Sequence, residues 1–367
     1  MGGHRAWPGG DRPGGPLTQI EINPGQLTNA ARGLEQFVVP DLTDAARRMA
    51  DSYRLDPPGF GALLSFAEGY YNSVADYQLR NLETAVQVVQ SVAAGLRRTV
   101  ANYHAAEQAN VDMFLAPAAD DPAGYLGGLG DAGFPRLFTD PLGGMDGLGD
   151  GAAEVLTVAT QTMFVGLGVA TAAMAPDYLP APLTAAAMVA NGFSVIEAAR
   201  ELGAVAATLE GSVIKKFDGY ATGATAGWVD GSVVEYRDVV AEVSRELGQV
   251  QKALGALSAS LLAVAGLLTA FWLAFIAFTA EFFVLILDLT LSSIGPQALV
   301  LQPIIQALGA AASASWLTAT GTVITVATAA VTLLSGVVKE FAAVQTFDEQ
   351  GDGTPDLRQV KIAWHSA

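Results

Sequence analysis

ALGALSASLLAVAGLLTAFWLAFIAFTA, residues 253–280, runs for 28 positions without a charge. A membrane-spanning helix needs about 20 apolar residues, so this stretch is long enough to cross a bilayer. Leu289–Val338 then continues for another 50 uncharged positions, with Gly295-Pro296 marking a helix end and restart, because proline cannot continue a helix. The expectation is two apolar helices, about 253–293 and 297–342, folded back on each other as a hairpin. A helix that is apolar all round has no face for water. The pair therefore either spans a membrane or lies inside a large bundle whose other helices come from 155–217 and from the N-terminal region.

Upstream, the first of these helices begins amphipathic, with Glu235, Arg237, Asp238, Glu242, Arg245 and Glu246 set among valines. Before it lie a helical pattern from Leu183 to about Phe217, a glycine-rich break from Gly219 to Gly227, and Trp228-Val229-Asp230-Gly231. Val155–Pro176 is also uncharged, but its threonines and glycines make it a weak span. Within the apolar half, Glu281 and Asp288 stand seven residues apart and face roughly the same way. A carboxylate at the centre of a bilayer costs about 2.5–3.5 kcal/mol, so a membrane reading puts these two at a headgroup, along a pore, or in neutral form. Phe271, Trp272, Phe275, Phe278, Phe282 and Phe283 read as packing or interface residues rather than a ligand box.

The N-terminal third has the opposite character. Asn23-Pro24-Gly25 opens an amphipathic helix whose stripe is Leu27, Ala30, Ala31, Leu34, Phe37 and Val38. Pro40 is expected to break or kink it before the pattern resumes through Leu42, Ala45, Ala46 and Met49. Asp56-Pro57-Pro58-Gly59-Phe60-Gly61 is a turn. From Leu63 to about Phe114 no proline interrupts, and Leu79, Leu82, Val86, Val89, Val92, Leu96, Val100 and Tyr103 form a second stripe. The result is an antiparallel hairpin over 20–115, preceded by a Gly/Pro-rich leader (1–19) and followed by a Gly/Asp/Pro-rich linker (116–153). A helical domain (154–345) and a polar tail (346–367) complete the chain, and the fold class is all-α.

Composition supports the apolar reading: 51% of residues are hydrophobic and 15% charged, where soluble domains carry about 25% charged residues. Mean hydropathy is +0.37 and the isoelectric point about 4.4. A net charge of −17 would repel a phosphate backbone, so no nucleic-acid partner is expected. The chain has no cysteine. Its histidines, His4, His104 and His365, provide no HExxH pair, triad order or zinc spacing. No enzyme activity, cofactor or metal is expected. The acidic run Asp348–Asp356 superficially resembles a calcium loop, but the twelfth-position glutamate that an EF-hand needs falls on Ala363 or Val360, so a solvated turn is favoured. Met1–Pro16 lacks the apolar segment of a cleavable signal peptide.

Three features together resemble the WXG-type helical hairpins exported by type VII (ESX) secretion systems. Ile22-Asn23-Pro24 precedes an alanine-rich helix, Gly59-Phe60-Gly61 stands at the inter-helix turn where the family has Trp-X-Gly, and Tyr103-His104-Ala105-Ala106-Glu107 matches its YxxxD/E export signal. Tyr103 and Glu107 share one helical face, where a receptor can read ring and carboxylate together. Phe60 in place of tryptophan marks a divergent member. Trp228 and Gly231 offer a second WXG-like turn with one extra residue, or else Trp228 simply covers a helix junction.

The resemblance implies a non-enzymatic effector or accessory protein, secreted or held at the cell surface through type VII export. It also implies contacts with the secretion machinery, a helical partner or chaperone, and a lipid membrane or further copies of itself. The alternative is a resident helical membrane protein whose N-terminal hairpin is a soluble interaction module.

Overall fold

The computed structural model describes residues 22–115, 157–229, 232–292 and 298–344. The leader, the linker, Gly231, Gly295-Pro296 and the tail with its acidic turn lie outside the described residues. Among those described, the fold is all-α and no strand occurs.

Helix α1 (Pro24–Gly33) starts where the sequence favours a start. Asn23 accepts the amide of Gln26 on its side-chain oxygen at 3.2 Å, and Pro24 fills the first turn, where a missing N–H costs nothing. The expected break at Pro40 takes another form. One wide π-turn (Leu34–Val38) joins α1 to α2 (Val39–Ser52), and the helix continues through it. The amide of Val39 reaches back to the carbonyl of Leu34, and widening the turn ahead of Pro40 accommodates a residue that cannot donate and whose ring crowds the preceding turn. The extra residue rotates the stripe. Val38 takes the buried slot, while Phe37 is 47% exposed and stacks on Tyr220, with ring centroids 5.9 Å apart.

A compact turn and a short 3-10 segment (Ala62–Leu64) lead into α3 (Ser65–Leu115), which lies against both α1 and α2. After α4 (Val158–Met174) the chain makes a 3-10 turn (Pro176–Tyr178) and forms α5 (Pro180–Ala187). It then bends, and α6 (Gly192–Thr208) passes through a second π-turn (Leu209–Ile214) into α7 (Lys215–Gly223). The bend at Ala190 is held by Gln161, buried on α4, whose amide both donates to the Ala190 carbonyl and accepts its N–H, at 3.0 and 2.8 Å. Helix α8 (Ser232–Ser292) is the longest element, and α6 lies along it; α9 (Ala298–Val344) completes the described chain.

One continuous core runs through these helices, from Ile22 to Trp316. Around it the molecule has two unlike ends. The described ion pairs between helices lie at the first end: Arg97 with Glu35, Arg48 with Glu201 at 2.8 Å, and Lys216 with Asp41 at 2.7 Å. The second end, made by α4, α5, the outer half of α8 and α9, is joined by neutral bonds. Trp272 donates to the Met188 carbonyl at 3.2 Å, and the Tyr178 hydroxyl meets that of Thr279 at 3.0 Å.

Candidate functional site

The turn Gly59-Phe60-Gly61 is docked inside the molecule. Gly59 and Gly61 both adopt positive φ, at 55° and 81°, a region that β-carbons disfavour. A β-carbon on Gly61 would stand 2.7 Å from the carbonyl oxygen of Val189. The Gly59 carbonyl accepts the amide of Asn191 at 2.9 Å, and the Asp56 amide donates to Ser194 Oγ at 2.7 Å. Phe60 is 2% exposed and packs edge-on against Tyr71, whose hydroxyl donates to the Tyr53 carbonyl. Burial pushes the Tyr71 hydroxyl well above the usual phenol range. The turn is therefore a tertiary joint between the α2–α3 connection and the α5–α6 bend, and Phe60 presents no ring to solvent.

Tyr103 sits half-buried near the end of α3, its ring edge-on to that of His104, and Glu107 follows one turn later on the same helix. Trp228 lies at the other inter-helix turn, just after Gly227 with φ 79°. It is 5% exposed and covers the loop, with its ring 5.3 Å from that of Tyr236. The Tyr236 hydroxyl donates to the Ala221 carbonyl, and burial raises it out of its ordinary range.

The outer half of α8 explains what a sequence uncharged over 28 positions does in three dimensions. From Ala253 to Trp272 the helix is buried on several sides, as a bundle interior. Beyond Trp272 burial narrows to a single stripe, Phe275, Thr279, Phe282 and Ile286, at spacings of four and three. The remaining faces are open and still apolar: Leu273, Val284, Leu285 and Leu291 are 44–65% exposed. Helix α9 repeats the arrangement, with Ile305, Gly309, Ser313, Trp316 and Thr320 buried while Ile304 and Leu317 are exposed. Trp316 meets Phe271, Phe275 and Phe278, so these aromatics are packing residues. Yet its Nε1, with Ser313 Oγ and Thr320 Oγ1, is buried without a hydrogen-bond partner among the described residues. Glu281 and Asp288 both project from the open face of α8. Pro176–Gly223 and Ser232–Ser292 are long and apolar enough to cross a membrane; the first is bent at Val189–Asn191, and 44% of the most apolar window of the second is buried.

One polar cluster has no counterpart in the sequence reading. Asp41, the residue after Pro40, accepts from Ser212 at 2.6 Å and from Lys216 at 2.7 Å, where the start of α2 lies against the second π-turn and the beginning of α7. Burial pushes its carboxyl up, but the hydrogen bonds from Lys216 and Ser212 outweigh that and hold it below the usual range. The only signal in sequence was Pro40 itself. Gln161 was legible in principle, as the one amide in an otherwise uncharged run, but its partner, the Ala190 backbone, carries no side-chain signature.

A cleft of about 320 Å³ between α7 and α8 is lined by Asp218, Thr222, Thr225, Arg237, Val240 and Ser244, without a histidine or a carboxylate pair. No three histidine, aspartate or glutamate side chains among the described residues converge on a point that could hold a metal ion. No known family, curated protein or solved structure matches the chain.

Proposed function

We propose that this chain is a substrate of a type VII secretion system, a non-enzymatic effector or accessory protein that acts through protein and membrane contacts. The observation that carries the reading is the YxxxE pair near the end of α3: Tyr103 keeps part of its ring open to solvent, and Glu107 follows on the same helical face. The helix–turn–helix connection before it supports the reading. In this account the export machinery binds the end of α3, and a helical partner or chaperone shields the apolar pole before export.

The test is fractionation of the native host into cytosol, membrane and culture fluid for wild type and Tyr103→Ala. Tyr103→Ala is expected to lose the pool in the culture fluid or at the cell surface while total protein stays the same. An unchanged distribution confined to the membrane would overturn export and favour a second reading, a resident helical membrane protein. The specific observation behind that alternative is the open apolar face of α8 and α9.

A further inference from the structure

We infer that the pole formed by α4, α5, the outer half of α8 and α9 enters a lipid bilayer when its exposed carboxylates are neutralised, so that acid drives the protein from water into membrane. This deepens the membrane half of the preceding proposal and names its partner, a lipid bilayer with no requirement for anionic headgroups.

The argument rests on which charges the pole has and where they stand. Residues 157–196 and 253–338 contain no lysine, arginine or histidine, and their only charged groups are Asp177, Glu281 and Asp288. All three are exposed. Glu281 and Asp288 stand on the same open face of α8 as Leu273, Val284 and Leu291, so that face cannot meet hydrocarbon without taking both carboxylates with it. This part of α8 meets Gly168 of α4, which is uncharged, Tyr178 of the 3-10 turn that carries Asp177, and Trp316 of α9, whose first charges are Lys339 and Glu340 at its far end. Among the described residues no ion pair involves Glu281 or Asp288. Ionised, the group opposes both insertion and approach to an anionic surface. Protonated, the pole is neutral throughout residues 157–196 and 253–338.

The same geometry argues for a bilayer over a protein partner. Uncharged runs of 28 and 50 residues exceed what a bilayer span needs, and residues 157–196 and 253–338 offer no basic group for an acidic partner. The α8–α9 contact also leaves Trp316 Nε1, Ser313 Oγ and Thr320 Oγ1 buried without partners, so repacking α9 in lipid forfeits no hydrogen bond from these groups. Indole N–H groups find partners at the headgroup level.

The experiment is flotation of the purified full chain with zwitterionic phosphatidylcholine vesicles at about pH 7.5 and about pH 4, the range where carboxyl groups take up protons. Wild type is expected to float at the acidic pH and stay in solution at neutral pH. Each carboxylate removed from the hydrocarbon-facing surface should raise partitioning by about tenfold or more. Glu281→Gln/Asp288→Asn is therefore expected to float already at neutral pH, where acid unfolding plays no part. Val284→Lys puts a permanent cation at a position 65% exposed and is expected to abolish flotation at acidic pH with its helical circular dichroism intact.

Equal flotation of wild type at both pH values would overturn the proposal. So would neutral-pH behaviour of the double variant identical to wild type, or binding that requires phosphatidylglycerol. A stable lipid-free dimer that Val284→Lys dissolves would make a second copy the occupant and overturn it too. None of these outcomes bears on export, which is read from Tyr103→Ala in cells.

Discussion

The two ends of this molecule solve the same problem, holding long helices side by side, with different chemistry. At one end, α1, α2, α3, α6 and α7 present conventional amphipathic stripes, and their outer faces carry ion pairs and polar side chains. At the other, α8 and α9 bury one narrow stripe each and leave apolar faces open. Helix length and packing partners alone do not explain the difference, since α8 belongs to both ends. What changes along it is the outer face, dense in charge up to Lys252 and apolar beyond except for Glu281 and Asp288. A helix can thus be core in its middle and carry an interaction surface at its end with no change in backbone.

That contrast can be tested by disturbing each region in turn. Trp272→Ala removes a fully buried indole at the boundary between the ends, together with its bond to Met188. The expected loss is about 3–5 kcal/mol in urea unfolding followed by circular dichroism. A small loss would mean that the outer half of α8 is not packed on the α5–α6 bend in solution.

Gly61→Ala forces a β-carbon into positive φ and against the Val189 carbonyl. It should cost about 2 kcal/mol by the same assay, and a neutral effect would undock the turn from the bend.

Asp41→Asn weakens the joint between α2 and the second π-turn with α7 and should cost about 1 kcal/mol at neutral pH, since the group is partly exposed. The folded carboxyl is held below its ordinary value. Its stabilisation is therefore present above the unfolded pKa and is lost as pH falls through the folded one. The gap between variant and wild type should narrow in acid, and a gap that widened there would contradict the assignment.

The smallest effect is expected at the apolar pole. Val284→Ser with Leu291→Ser alters side chains 65% and 60% exposed and should shift stability by less than about 0.5 kcal/mol. A loss of several kcal/mol would show that a partner covers this face in solution.

Much of the fold was legible in the sequence because helices announce themselves locally. The Asn23-Pro24 start, the stripe from Leu27 to Met49 and the uncharged helices after Ala253 all follow from spacing and turn chemistry. Phe37 was misplaced because a π-turn adds one residue to the register, and nothing in the side-chain pattern counts backbone hydrogen bonds. The roles of Phe60 and Trp228 were open in sequence for a related reason. An aromatic residue between glycines can serve a partner or the chain's own interior, and only the position of Val189 and Asn191, or of Tyr236, distinguishes the two.

By itself the sequence determined the class of the molecule, all-α, and the uneven distribution of its charge, because both depend on residue types at short spacing. It also determined that Asp177, Glu281 and Asp288 are the only charges within residues 157–196 and 253–338. The tertiary structure decided which part of those segments is interior and which is open. Hydrophobicity specifies that a surface leaves water, but not what it leaves water for; on α8 the neighbouring helices reach only far enough to cover one stripe beyond Trp272.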